Sequence, residues 1–164
     1  MRGGTLHIGL RTEPYASFDA TRLQFTLHVK DLQSVTVSGA WEVSANSLTA
    51  DSFELGISGG GRVTIDELTT EALDVSISGA GQVELAGEAA SQQVDISGLG
   101  QYRAGDLRSQ TAGIYISGAG EATLWATESL TVDVSGGGNV SYYGSPQLDV
   151  DQSGLADIDS LGEK

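Results

Sequence analysis

Histidine is the commonest general base, and this chain of 164 residues holds two, His7 and His28, both near its start. Neither lies in the repeated part of the sequence, so a Ser-His-Asp nucleophilic site is not expected. There is no cysteine, which removes thiolate nucleophiles, disulfides, iron–sulfur clusters and cysteine-bound zinc. Carboxylates and aromatic rings remain. Asp133 and Asp151 occupy equivalent positions in two successive repeats. If those repeats stack, their Cα atoms lie about 4.8 Å apart. Such a pair could bind a hard cation, or supply acid and base to a glycan with one pKa raised. A solvated acidic face is the preferred explanation, and no Lys, Arg or His accompanies the pair as in a lyase or hydrolase. Trp125 and Tyr143 also share a position, with Tyr115 on an outward strand site nearby. Stacked aromatics could form a sugar platform or a partner patch, or simply a structural ladder. These three residues are the candidate ligand or partner surface, and Asp133 and Asp151 are weak metal candidates. No catalytic residue and no cofactor are expected.

The elements that position these residues come from an internal repeat. A Ser-Gly pair recurs at Ser38-Gly39, Ser58-Gly59, Ser78-Gly79, Ser97-Gly98, Ser117-Gly118, Ser135-Gly136 and Ser153-Gly154, at spacings of 20, 20, 19, 20, 18 and 18 residues. The residues one before each serine are Val37, Ile57, Ile77, Ile96, Ile116, Val134 and Gln152; those three before are Val35, Leu55, Val75, Val94, Ile114, Val132 and Val150. This is strand alternation with one buried face. The column between them, Thr36, Gly56, Ser76, Asp95, Tyr115, Asp133 and Asp151, is mostly polar and faces outward. A polar residue and then an apolar one, as in Arg62-Val63 and Gln82-Val83, follow most tetrads. Each repeat therefore reads as strand, small-residue corner, strand and connecting turn.

An antiparallel meander could use the tetrad as a hairpin turn, but it has no need to hold seven repeats at one length with matching columns. A parallel solenoid does, because a length change shifts a coil against both neighbours. The expected fold is therefore all-β, a single-stranded parallel β-helix with coils of about 18–20 residues. Leucine-rich and calcium-binding nonapeptide frameworks are missing, and the windows Glu67 to Ala72 and Ala86 to Ser91 are too short and aperiodic for helix. The seven serines are expected to cap corner amides, since a residue used identically in every coil serves the fold. The whole of 1–164 is expected as one domain, with an incoming strand and first coil in 1–30 (Thr5 to Ile8 and Arg22 to Val29) and repeated coils in 31–160.

Charge and composition narrow the partners. With 22 Asp plus Glu against 8 Lys plus Arg, the net charge is -14. That repels phosphate backbones and anionic lipid, so nucleic acid is not an expected partner. No segment approaches the ~18 apolar residues of a membrane span, and Met1 to Ile8 carries no apolar run of signal-peptide length.

The recurrent Val-x-Val/Ile-Ser-Gly-x-Gly pattern, together with Leu130-Thr-Val-Asp-Val-Ser-Gly-Gly-Gly-Asn-Val-Ser-Tyr-Tyr-Gly-Ser-Pro146, resembles the head domain of the auto-transporter adhesins, often called the GIN domain. The resemblance covers about residues 30–160, and the family's N-terminal part looks shortened here. It departs at one column: where the family has Asp after the tetrad, this chain has Glu42, Arg62, Gln82, Gln101, Glu121, Asn139 and Asp157. The resemblance implies a right-handed β-helix, a bacterial and extracytoplasmic setting (periplasm, cell surface or secreted), and no assigned activity. The leading expectation is a non-catalytic adhesion or scaffold module that meets a protein or glycan partner. A carbohydrate-binding or carbohydrate-active protein is the alternative. A third expectation is a self-assembling envelope protein, a homo-oligomer joined through unpaired solenoid ends.

Overall fold

The computed structural model describes residues 32–164 together with Leu6, Thr26, His28 and Val29. His7 and nearly all of the expected incoming strand and first coil lie outside these residues. Ten strands follow in chain order: β1 (Ser34–Ser38), β2 (Glu42–Ala45), β3 (Leu48–Gly59), β4 (Arg62–Gly79), β5 (Gln82–Gly98), β6 (Gln101–Gly118), β7 (Glu121–Val134), β8 (Asn139–Tyr143), β9 (Gln147–Gln152) and β10 (Asp157–Gly162). Every pairing is parallel, and no helix occurs among the described residues. The chain is an all-β parallel solenoid of about six turns, bounded by the seven Ser-Gly corners.

Burial shows how one turn is built. In β4, Val63 and Ile65 face inward, Asp66 and Glu67 both face out, Leu68 and Thr70 face inward, Glu71 and Ala72 face out, and Leu73, Val75 and Ile77 face inward. An outward pair breaks the period-two alternation, which is where the chain turns a corner. Each long coil thus has three arms and three corners, two of them inside what hydrogen bonding joins as one strand.

The lumen is filled by columns of like residues. Leu55, Val75, Val94, Ile114 and Val132 stack in register, and each is fully buried. Removing such a side chain from water contributes about 1.5–3 kcal/mol. The Ser-Gly corner holds two kinds of glycine. Gly79 has a φ of 133°, and a Cβ there would lie 2.6 Å from the carbonyl oxygen of Gly59, so backbone stacks on backbone with no room for a side chain. Gly81 needs no special backbone; its Cβ would meet the Ile57 Cγ2 at 2.6 Å, because the isoleucine of the coil below already fills that space.

At the far end of the described residues, β9 pairs only with β7 and β10 only with β8. Leu148 and Val150 are 40% and 41% exposed although their column mates Leu130 and Val132 are fully buried. Gln152, where the apolar column ends, donates its Nε2 to the carbonyls of Gly154 (3.2 Å) and Ala156 (2.9 Å) and so satisfies the last corner.

Candidate functional site

The changing coil length creates a distinct surface feature. Ala104 pairs with Leu124, twenty residues on, but Arg108 pairs with Trp125, seventeen on. The segment Gly105-Asp106-Leu107 therefore has no counterpart in β7. Leu107 turns inward and is fully buried, while Asp106 is left outside. Above it, Trp125 and Tyr143 are register partners. The ring of Tyr143 reaches back over Gly105, where an added Cβ would come within 3.1 Å of it.

Lys164 closes this cluster from another direction. Its Nζ donates to the Asp106 carboxylate and, at 2.6 Å, to the Gly105 carbonyl. The same ammonium stands 4.8 Å from the Tyr143 ring centroid and 5.8 Å from that of Trp125. Arg108 lies 6.0 Å from the Trp125 ring. These distances are within the range of cation–π attraction. Two bonds place Lys164: Gly144 N–H to the Gly162 carbonyl at 2.9 Å, and Ser145 Oγ to the Glu163 carboxylate. The cluster edges an open depression of about 370 Å³ whose wall includes Asp66, Glu84 and Arg103.

A buried polar chain supports Trp125 from inside. Tyr102 Oη donates to Gln92 Oε1, Gln92 Nε2 donates to Ser109 Oγ, and Ser109 Oγ donates to the Trp125 carbonyl, each at 2.7 Å. Thr127 Oγ1 donates back to the Ser109 carbonyl at 3.0 Å. Burial pushes the Tyr102 phenol well above the usual tyrosine range. No buried side-chain polar atom among the described residues lacks a partner. Gln92 occupies a column otherwise made of Phe53, Leu73, Ala112, Leu130 and Leu148, so the alternation of the sequence did not mark it.

Tyr115 is elsewhere. It lies in register between Asp95 and Asp133, is 38% exposed, and lines a separate shallow depression of about 220 Å³. Asp133 and Asp151 are direct register partners. Among the described residues no third carboxylate or histidine joins them in a metal-binding group. His28 is exposed. Lys164 and Asp106 carried no signal in the sequence, since neither belongs to a repeated column.

At five of the seven corners, those of Ser58, Ser78, Ser97, Ser117 and Ser135, the serine does not cap the corner amide. The amides of Gly60, Ala80, Leu99, Ala119 and Gly137 bond instead to the carbonyls of Gly39, Gly59, Gly79, Gly98 and Gly118 in the coil below, at 2.8–3.1 Å. Parallel stacking already satisfies them, so the hydroxyls are left outward; Ser78 Oγ makes one long bond, 3.5 Å, to the Ile57 carbonyl. Ser78→Ala is accordingly expected to shift unfolding by less than about 0.5 kcal/mol in a urea titration. A loss above about 1 kcal/mol, the usual worth of a cap, would restore the capping role.

The architecture defines a class: a single-stranded parallel β-solenoid with glycine corners and a decorated side wall. The family model described as "Putative auto-transporter adhesin, head GIN domain" matches residues 1–146, and the chain belongs to that family. A crystal structure described as a putative adhesin from Bacteroides fragilis is 32% identical with a TM-score of 0.76, covering 79% of this chain and 61% of that one. Two others, described as putative adhesins from Parabacteroides distasonis and Parabacteroides merdae, are 21% and 20% identical with TM-scores of 0.66 and 0.61. They cover 80% and 77% of this chain and 60% and 57% of theirs, and at that identity they bear on the fold alone. The chain thus spans less than two thirds of the length of the solved structures it matches. No curated protein matches it. No helix among the described residues is long and apolar enough to cross a membrane.

Proposed function

We propose that the chain is a non-catalytic adhesion or scaffold module, acting outside the cytoplasm, that presents a repetitive acidic β surface to a protein or glycan partner. One observation carries this reading. The outward column Thr36, Gly56, Ser76, Asp95, Tyr115, Asp133 and Asp151 runs in unbroken register along one arm. A regular ladder of this kind offers the same geometry at every coil, which suits repeated weak contacts along an extended partner. Tyr115 supplies the one large ring in it, flanked by carboxylates that can accept hydrogen bonds from hydroxyls or amines. Short coils leave little length for the enclosing loops that bury a substrate beside a perturbed acid or base.

The test is binding of the purified chain to immobilised oligosaccharides and to intact cells. Tyr115→Ala is expected to weaken retention by about tenfold, in line with loss of a stacked ring, while the fold stays intact. Unchanged retention after combining Tyr115→Ala with Asp95→Asn and Asp133→Asn removes this surface from the reading. Turnover of any bound oligosaccharide would favour the carbohydrate-active alternative.

A further inference from the structure

We propose that Trp125, Tyr143, Asp106 and the Gly105 carbonyl form a primary-ammonium site, filled in cis by Lys164 and able to receive a lysine side chain from a basic partner peptide in trans. Two aromatic rings, a carboxylate and a carbonyl converge on one Nζ. A lysine ammonium is a compact charge with three donors, and this set offers it two oxygen acceptors and two ring faces. The fold builds the site by leaving Gly105-Asp106-Leu107 unmatched in β7 and by tying the Trp125 carbonyl to Ser109. The binding groups therefore stand on the solenoid wall, and the occupant comes from beyond β10.

Its position makes exchange feasible. Lys164 is one third exposed and Asp106 three quarters exposed, so the occupant can leave without opening the core. Among the described residues this is the one ion pair, and the adjoining depression carries Asp66, together with Glu84 beside its register partner Arg103. A peptide that puts one lysine in the cage has the Asp66 carboxylate within the same depression for a second cation. With 22 acidic residues against 8 basic ones, the surrounding field favours a basic ligand over an acidic or neutral one. The tethered Lys164 competes at an effective concentration in the millimolar range, so a single free amine displaces it poorly and a multivalent one does so better.

The inference goes beyond the adhesion reading and uses a different part of the surface. It is tested by NMR on the full chain, following the Trp125 indole N–H during titration with Nα-acetyl-lysine methylamide, its norleucine counterpart, pentalysine and glucosamine. In Lys164→Ala the lysine amide is expected to give a saturable shift and the norleucine amide none. The unsubstituted protein should bind the lysine amide about tenfold more weakly, because Lys164 competes. Adding Asp106→Asn to Lys164→Ala should weaken binding about fivefold or more, as loss of a charge-assisted bond requires. Pentalysine should displace Lys164 in the unsubstituted protein. Lys164→Gln takes the place of Lys164→Ala if the latter disturbs amide signals away from the site. No saturable shift in the vacated cage, an equal response to norleucine, or a response to glucosamine alone would overturn the proposal. Because the readout is the Trp125 indole, which lies outside the Tyr115 depression, failure here leaves the Tyr115 surface untouched, and failure of that surface leaves the cage intact.

Discussion

Gly87→Ala is expected to lower the melting temperature by roughly 6–12 °C, the equivalent of about 3 kcal/mol in a domain of this size. Gly87 has a φ of 125°, and a Cβ built there would sit 2.1 Å from the carbonyl oxygen and 2.7 Å from the amide nitrogen of Leu68. Both atoms are backbone, so neither can turn away as a side chain would. The position exists because the coil from Ser78 to Ser97 is one residue short. Ile65 pairs with Leu85, after which Leu68 pairs with Gly87, so one residue spans a corner where the coil below uses two. The tighter corner drives the chain through a backbone region that alanine reaches only with strain. Contacts in a solenoid run between neighbouring coils, so a defect at this coil should also split the transition into two steps. Thermal melts by circular dichroism check both effects. A variant melting within about 2 °C of the parent, less than 1 kcal/mol at this size, would show that the corner relaxes freely.

The second large effect concerns the polar chain in the lumen. Tyr102→Phe keeps the ring but removes the hydroxyl that donates to Gln92 Oε1 at 2.7 Å. A buried carbonyl oxygen is then left without its partner, at a cost of about 1–3 kcal/mol. Gln92→Leu should cost a similar amount by orphaning the Tyr102 hydroxyl; Ser109 still has the Trp125 carbonyl. The double variant is expected to recover most of the loss, because an apolar pair suits a column shared with Leu73 and Leu130. Additive losses in urea denaturation would refute the coupling.

The same tyrosine predicts an alkaline limb. Burial holds its folded pKa above the ordinary value near 10 that the unfolded chain retains. Below that value both states keep the proton, so the contribution is fully present. As pH rises past it the unfolded chain ionises while the folded one does not, and stability falls by up to about 1.4 kcal/mol per pH unit. Tyr102→Phe should flatten this fall relative to the parent. Parallel limbs for the two proteins would mean that Tyr102 ionises in the fold without penalty.

Much of the architecture was legible because a solenoid writes its structure into the sequence once per turn. The Ser-Gly pairs, the Val/Ile columns beside them and the outward polar column all reappear in register. The stacking of Trp125 on Tyr143 followed from counting eight residues after each serine, and that of Asp133 on Asp151 from counting two before. What the serines do was misread. A serine used identically in every coil suggested capping, yet at five of the seven corners parallel stacking gives the corner amide a carbonyl in the coil below, and the hydroxyl there has no amide to serve.

By itself, then, the sequence determined the parallel stack, the faces of its regular arms and the length of each coil, because these depend on local alternation and on a period that neighbours must share. Only the tertiary structure decided where each missing residue is absorbed. A spacing of 18 reports that a coil is short, but the choice among three corners depends on which lumen side chains can close up. That choice leaves Gly105 to Leu107 unmatched, with Gly105 beneath the Tyr143 ring and Asp106 outside. It also decided the place of Lys164, 58 residues from Asp106 and outside any repeated column. Gln92 was invisible for the same reason: a polar residue in an apolar column is intelligible only once Tyr102 and Ser109, brought in from the next coil, are seen to satisfy it.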